Sequence, residues 1–104
     1  MASSKEYLDY ILDQLSGLDS VTYRAMMGEY LLYYRGTLVG GIYDNRLLVK
    51  DVPGVRALLP DAPRDLPYEG AKPMLLVEDP DHRELLARLF GILYDELPAK
   101  RNRN

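Results

Sequence analysis

Runs of strand-favouring residues alternate with turn signals in the middle of the chain. The runs are rich in Val, Ile, Leu and Tyr, which suit a pleated, half-buried surface, and they span residues 30–34, 38–43 and 46–50. Arg35-Gly36 and Asp44-Asn45 separate them, and Gly and Asn accept the positive φ of hairpin turns. The pattern predicts an antiparallel three-stranded meander, which residues 21–27 precede as a leading strand or an extended arm.

The turn residues predict the register of the meander. An arginine at the first position of a two-residue hairpin turn must adopt a positive φ, which is unfavourable for a side chain with a Cβ. We therefore predict a three-residue loop over residues 34–36, with Gly36 as the left-handed residue and Tyr33 paired with Thr37. Asp44-Asn45 is predicted to form a two-residue turn.

Alternation along these strands assigns each side chain to one of two faces of the sheet. The face predicted to be core comprises Tyr30, Leu32, Leu38, Ile42, Leu47 and Val49. The opposite face is predicted to comprise Glu29, Leu31, Tyr33, Thr37, Val39, Gly41, Tyr43, Arg46, Leu48 and Lys50. Its middle is apolar and aromatic and its ends are charged, which is typical either of a docking surface or of a plain solvated surface.

Helical periodicity precedes and follows the meander. Apolar residues from Leu8 to Leu15 recur at helical spacing, and Ser3 is predicted to cap this first helix. A short helix is predicted after Asp51, and the last helix is predicted to start at Asp79-Pro80 and to end before Pro98.

Between the two later helices, Met74 to Val77 is predicted to be a short buried strand, and residues 66–68 are the candidate for a second strand that pairs with it. The order of elements is therefore a helix, three strands, a short helix, one or two strands and a long helix. Such segregated elements predict an α+β domain in which helices pack on a mostly antiparallel sheet.

Length and charge limit the classes of protein that remain. With 104 residues, the chain is predicted to form one domain over residues 1–99, followed by a basic tail at 100–104 that is expected to be disordered. The net charge is −3, and because three basic residues lie in the tail, residues 1–99 carry −6. An acidic body lacks the basic footprint of a nucleic-acid-binding protein.

No signal peptide or apolar run of membrane-spanning length is visible, so we expect a cytoplasmic protein without a membrane partner. The chain has no cysteine and a single histidine, His82, which is predicted to lie at the surface. Gly40-Gly41 lies within a strand and does not open a helix, so it is not a phosphate-binding loop. We expect no catalytic residue, no metal ligand and no cofactor.

Several short blocks resemble the N-terminal domain of the TfoX/Sxy family, bacterial regulators of competence genes. The blocks are Arg24-Ala-Met-Met-Gly28-Glu-Tyr30, Tyr34-Arg-Gly36, Val39-Gly-Gly41, Asn45-Arg-Leu-Leu-Val-Lys50 and Tyr68-Glu-Gly70, within a resemblance that spans about residues 5–97. The resemblance implies an α-β-β-β-α-β-β-α fold similar to that of secretion chaperones. It also implies a role in transcriptional regulation, because full-length members act with a cyclic-AMP receptor protein at competence promoters.

The chain departs from the family pattern in two places. The usual Met-Phe-Gly-Gly block reads Met26-Met27-Gly28-Glu29, which places a carboxylate where glycine is common. The chain also ends at Asn104 without the separate C-terminal domain of the regulators, so the role of that domain is not expected here. The family supplies no established catalytic residues.

The residues around Gly28 and the mixed sheet face are the predicted partner-binding site, for a protein partner or for a second copy in a homodimer. Adjacent methionines adapt to varied partners, and the nine tyrosines combine an apolar ring with a polar hydroxyl. The site comprises Arg24, Met26, Met27, Glu29, Leu31, Tyr33, Val39, Tyr43 and Leu48. Coverage of the methionines and tyrosines by the protein itself is the simpler alternative.

Two other functions remain open at this point. Tyrosines near Arg35 and Arg46, together with the basic tail, also suit stacking on a single-stranded nucleic acid, although the acidic body opposes it. An enzyme would need a pocket that brings Arg24, Glu29 and Tyr68 together.

Overall fold

The structure is a computed structural model that describes residues 3–97. Its elements are α1 (Lys5–Gln14), β1 (Val21–Met26), β2 (Glu29–Tyr34), β3 (Thr37–Tyr43), β4 (Arg46–Val49), α2 (Pro53–Leu58), β5 (Arg64–Asp65), β6 (Met74–Leu76) and α3 (Arg83–Glu96). The six strands form one antiparallel sheet in the order β1-β2-β3-β4-β6-β5. The predicted α+β class is therefore confirmed. The last helix ends at Glu96, before Pro98 as predicted, whereas the predicted tail at 100–104 lies outside the described residues.

The segment predicted as a leading strand or an arm is strand β1, which forms one edge of the sheet. Met27 and Gly28 join it to β2 in a tight turn, with φ of 52° and 87°. The opposite edge is β5, a strand of only two residues. The strand pairing with β6 lies at Arg64–Asp65 and not at 66–68, because residues 66–73 leave the sheet as a loop.

The turn between β2 and β3 differs from the prediction. Tyr34 pairs with Thr37, so Arg35 and Gly36 form a two-residue turn with φ of 52° and 81°. The Arg35 guanidinium lies 5.1 Å from the Tyr34 ring centroid and donates a hydrogen bond to Asp19. These contacts offset the unfavourable backbone conformation, which is why a non-glycine residue occupies it.

A β-bulge at Val39 follows from this turn. Leu32 pairs with Gly40 and Tyr33 pairs with Leu38, which leaves Val39 without an opposite residue on β2. The Val39 carbonyl instead accepts the Lys50 amide at 2.9 Å. With this turn and bulge, Thr37, Leu38 and Val39 each lie on the face of the sheet opposite to the predicted one.

The core confirms the rest of the predicted inner face. Leu32, Ile42, Leu47 and Val49 are fully or almost fully buried against the three helices. Contrary to the prediction, Thr37 and Val39 are buried on this side, with Val39 inside the hydrophobic core, and Tyr34 joins them against Phe90. The paired glycines of β3 permit close packing, because a Cβ on Gly40 would overlap the Leu48 carbonyl oxygen.

The helix caps fall one to three residues away from the predicted positions. Ser4, and not Ser3, caps α1 by accepting the Tyr7 amide at 3.1 Å. His82, and not Asp79, caps α3 through Nδ1, which accepts the Leu85 amide at 3.1 Å. The sole histidine therefore has a structural contact at a helix start.

Candidate functional site

The sheet face that points away from the helices is called the outer face here, and it presents Leu31, Tyr33, Leu38, Tyr43 and Leu48. Gly41 lies in β3, and the Tyr43 ring packs against it. A Cβ added to Gly41 would lie only 2.7 Å from a carbon of that ring. The missing side chain of Gly41 leaves room for the ring. Tyr43 is consequently almost fully buried, and burial raises the pKa of its phenol, with smaller contributions from Tyr68, Glu29 and Tyr33.

The loop of residues 66–73 covers part of the outer face. The start of the loop is held by Arg46 of β4. The Arg46 side chain donates hydrogen bonds to the Asp65 carboxylate at 2.6 Å and to the Tyr43 carbonyl at 3.0 Å. The Arg46 hydrogen bond lowers the pKa of the Asp65 carboxyl, and the Leu66 amide adds to that effect. Within the loop, the Tyr68 ring lies 6.3 Å from the Tyr43 ring.

An open groove of about 880 Å³ runs between this loop and the strands. We call it the outer groove. Its apolar side chains come from the strands, from the loop and from the residue that follows α3, and they are Met26, Leu31, Leu38, Tyr43, Pro67, Tyr68, Ala71, Pro73, Met74 and Leu97. Its charged side chains are Lys50, Asp51, Arg64 and Lys72.

The charged part of the outer groove is organised around Asp51. This carboxylate accepts hydrogen bonds from Arg56 and, at 3.1 Å, from Arg64. Burial opposes the ionised form, but the two arginines outweigh it, so the pKa of Asp51 lies below its ordinary value. The Lys50 and Lys72 side chains line the groove beside this cluster.

Strand β1 presents a second surface, the free edge of the sheet. Residues 22–28 are exposed, and Met27 is 94% exposed. The Ser20 carbonyl accepts a hydrogen bond from the Arg35 amide at 2.9 Å. In an antiparallel ladder every second residue bonds to the neighbouring strand, so this bond shows which residues of β1 bond to β2. By that alternation the backbone N–H and C=O groups of Val21, Tyr23 and Ala25 point away from β2, toward solvent.

The predicted partner-binding residues divide between these two surfaces. Met26, Leu31 and Tyr43 line the outer groove, and Tyr33 lies half-buried beside them on the outer face. Arg24 and Met27 are exposed on β1 and in the turn that follows it. Met26 belongs to both surfaces and joins them.

The remaining three predicted residues take part in the fold and are not exposed on either surface. Val39 is a core residue because of the bulge. Leu48 is on the outer face as predicted, but it is completely buried. The Glu29 carboxylate accepts hydrogen bonds from the Ser3 hydroxyl at 2.7 Å and from the Asp44 amide at 3.0 Å, so it ties the N-terminus to a hairpin turn.

The sequence interpretation missed the loop that makes a groove out of a flat sheet face. The signal was the turn-rich stretch around Tyr68 and Gly70. Leu38 and Lys72 were missed as site residues for different reasons. The bulge turns Leu38 outward, and the loop places Lys72 at the rim.

The predicted enzyme pocket does not form among the described residues. Tyr68 lines the outer groove, but Arg24 and Glu29 do not, so these three residues do not share a pocket. No group of three or more His, Asp and Glu side chains among residues 3–97 is placed to hold a metal ion. None of the described helices has the length and apolarity needed to cross a bilayer.

The chain is similar to a bacterial protein of similar size. The chain is 33% identical over 79 residues to a Spirochaeta aurantia protein named "uncharacterized 12.7 kDa protein in trpE 5′ region". The match covers 76% of this chain and 69% of that protein. No family model matches the chain, and no solved structure matches it.

Proposed function

We propose that this chain, which belongs to one family with the 12.7 kDa Spirochaeta aurantia protein, is a non-enzymatic interaction module that associates with a second copy of itself through strand β1. A role in transcriptional regulation is part of the same proposal, and the resemblance to the TfoX N-terminal domain supports it. The observation that supports it is the free edge of β1, where unpaired backbone groups and exposed apolar side chains lie together.

An unprotected edge strand is a template for pairing with another strand. Folded proteins usually block such edges with proline, lysine, a bulge or a covering segment. β1 has six residues without proline, lysine or a bulge. Tyr23 is 44% exposed and Met26 is 37% exposed at the same edge, so pairing there also removes apolar surface from water.

The sequence of β1 favours one symmetric register. When Tyr23 lies opposite Tyr23 of the partner copy, Val21 faces Ala25 of the partner, and every outward backbone group of the three residues is paired. Arg24 then lies beside Thr22 of the partner. A register centred on Arg24 places two arginines opposite each other, which is unfavourable.

A proline at Ala25 tests the proposal. Ala25→Pro removes an outward N–H that β2 does not use, so the fold is expected to survive while the pairing between copies is lost. Ala25→Ser keeps the N–H and is the matched control. Sedimentation velocity from about 5 µM to about 0.5 mM measures the result, because interfaces of this small size associate weakly.

We expect dimers for the natural sequence and for Ala25→Ser, and monomers for Ala25→Pro at every concentration. Circular dichroism of all three proteins checks that the fold is retained. A natural sequence that stays monomeric at about 0.5 mM, or an Ala25→Pro variant that dimerises as well, contradicts the proposal.

Nucleic-acid binding is the second candidate, and the electrostatics of the described residues oppose it. Their net charge of −6 repels a phosphate backbone. Of the two tyrosines on the outer face, Tyr43 is almost fully buried and Tyr33 is half-buried, so neither offers an open ring for stacking. Absence of salt-sensitive binding to single-stranded oligonucleotides at low salt dismisses this candidate.

A further inference from the structure

We propose that Met27 is the side-chain anchor of the pairing at β1, and that it inserts into an apolar groove between α1 and β1 of the partner copy. This inference rests on the proposed pairing and names a side-chain contact that strengthens it. It follows from the backbone conformation of Met27, from the position of the groove and from the symmetric register.

Met27 occupies a backbone conformation that its side chain does not favour. Met27 and Gly28 are the two central residues of the turn between β1 and β2, with φ of 52° and 87°. Positive φ at both central positions favours the sequence Asn-Gly, because asparagine tolerates this conformation better than methionine does. A methionine in this place therefore lowers the stability of the turn.

The contacts of Met27 within the described residues do not offset this cost, because Met27 is 94% exposed. Arg35 has the same φ of 52° in the next turn, but its guanidinium lies near two tyrosine rings and pairs with Asp19. Backbone strain in folded proteins is concentrated at functional positions. An exposed, flexible and apolar side chain on such a backbone is suited to insertion into a partner.

A groove of about 400 Å³ lies beside β1, on the side of the sheet that carries the helices. We call it the edge groove. Leu12, Leu15 and Leu18 line it from α1 and the segment that follows, and Val21 and Tyr23 line it from β1. Leu12, Leu18 and Val21 are only partly buried, so the edge groove exposes apolar surface next to the strand that is proposed to pair.

The proposed register brings the exposed methionine and the edge groove together. It pairs Val21 with Ala25 of the partner copy. Two residues further along, Met27 of the partner copy lies level with residue 19, which is between Leu18 and Val21 of the edge groove. Because the pair is symmetric, each copy inserts one methionine and each edge groove receives one.

The two inserted methionines add apolar contact that the backbone ladder does not supply. Stable interfaces bury about 1,200–2,000 Å² of surface in total. A ladder over residues 21–25 of two copies is expected to bury much less than this. Insertion at both ends of the ladder extends the interface from the edge of the sheet to α1.

Met27→Asn separates the anchor from the fold. The variant has the Asn-Gly sequence that this turn favours, so the unfolding temperature of the dilute monomer is expected to be equal or higher. It also lacks the side chain that fills the edge groove of the partner copy. The Kd of the dimer, from sedimentation velocity, is therefore expected to rise at least about tenfold.

Two control variants accompany this measurement. Met27→Leu keeps an apolar side chain of similar size and is expected to change the Kd less than about threefold. Leu66→Asn removes a different exposed apolar side chain, which lies in the loop of residues 66–73 and away from β1. It is expected to leave the Kd unchanged.

Amide chemical shifts of the labelled full chain locate the inserted side chain. Dilution of the natural sequence from about 0.5 mM to about 20 µM is expected to shift the amides of Leu12 and Leu18 as well as those of β1. In Met27→Asn at about 0.5 mM, the amides of Leu12 and Leu18 are expected to keep the positions found in the dilute natural protein.

Three results overturn the inference. They are a Met27→Asn variant that dimerises as tightly as the natural sequence, a Met27→Asn monomer that is less stable, and edge-groove amides that ignore dilution while those of β1 respond. A natural sequence that stays monomeric contradicts the pairing at β1 itself. A natural dimer that Ala25→Pro disrupts and Met27→Asn does not affect contradicts only the anchor, so the two failures are distinguishable.

Discussion

The Ser3 hydroxyl donates a 2.7 Å hydrogen bond to the Glu29 carboxylate, across 26 positions of the chain. The same hydroxyl accepts the Asn45 amide at 3.0 Å, and the Glu29 carboxylate accepts the Asp44 amide at 3.0 Å. The Ser3 amide completes the cluster by donating to the Gly28 carbonyl at 2.9 Å. Two hairpin turns and the start of α1 are therefore fastened together by one partly buried polar cluster.

Removal of the Glu29 carboxylate is expected to destabilise the protein. Glu29→Ala leaves the Ser3 hydroxyl and the Asp44 amide without their acceptor, which costs about 1–3 kcal/mol in the free energy of unfolding. Glu29→Gln keeps an acceptor oxygen and is expected to lose less. Urea denaturation measures the change, with Glu78→Ala at an exposed position as the control. Equal stability of Glu29→Ala and Glu78→Ala counts against the cluster.

Two glycine substitutions are expected to have opposite effects. Gly91 lies inside α3 with no atom close to an added Cβ, so Gly91→Ala is expected to stabilise the chain by about 0.5–1 kcal/mol. Gly36 is equally unobstructed, but its φ is +81°, so Gly36→Ala is expected to destabilise by about 1–2 kcal/mol. Thermal unfolding measures both effects as shifts of the unfolding temperature. Shifts of the same sign for the two variants contradict the explanation from backbone conformation.

Acid is expected to weaken the contacts of Asp51 and Asp65. The folded-state pKa of each carboxyl lies below its unfolded value near 3.8, so their stabilisation is complete above that value and is lost as the pH falls through the folded pKa. We expect Asp51→Asn to lower stability at about pH 6 and to matter much less at about pH 2. Urea denaturation at both pH values measures this, and Asp61→Asn, at an exposed position, serves as the control. A loss that is equal at both pH values contradicts an ionic origin.

The bulge makes adjacent residues respond differently to a charge. Val39 is completely buried in the core, so Val39→Asp is expected to cost more than about 3 kcal/mol and to unfold the chain. Leu38 is only partly buried on the outer face, so Leu38→Asp is expected to leave a folded protein. Circular dichroism distinguishes these outcomes. The register predicted from the sequence requires the reverse result, so this pair of variants tests the observed one.

Local sequence patterns were sufficient to predict the structure where the buried side of an element follows its hydrophobic periodicity. The stripe that includes Leu8 and Ile11 predicted the buried side of α1, and the alternation of Leu47 and Val49 predicted the inner face of β4. The two-residue turn at Asp44-Asn45 was also predicted, because both residues tolerate the positive φ they adopt. In each case the residues that decide the structure are close in sequence.

The errors arose where distant residues decide the local structure. Arg35 adopts a left-handed conformation in contact with Tyr94 and Asp19, which no turn preference includes. The resulting register moves Val39 into the core and Leu38 into the outer groove. The groove itself depends on a loop whose position is set by the Arg46–Asp65 ion pair. The outer groove was therefore beyond prediction from local pattern.

The two-residue length of β5 has a consequence for assembly. When two copies join along β1, the outermost strand of each sheet is β5. A strand of two residues is too short to pair with a third copy. In the proposed pair, growth by strand addition therefore terminates at two copies, and open-ended polymerisation by this route is not expected.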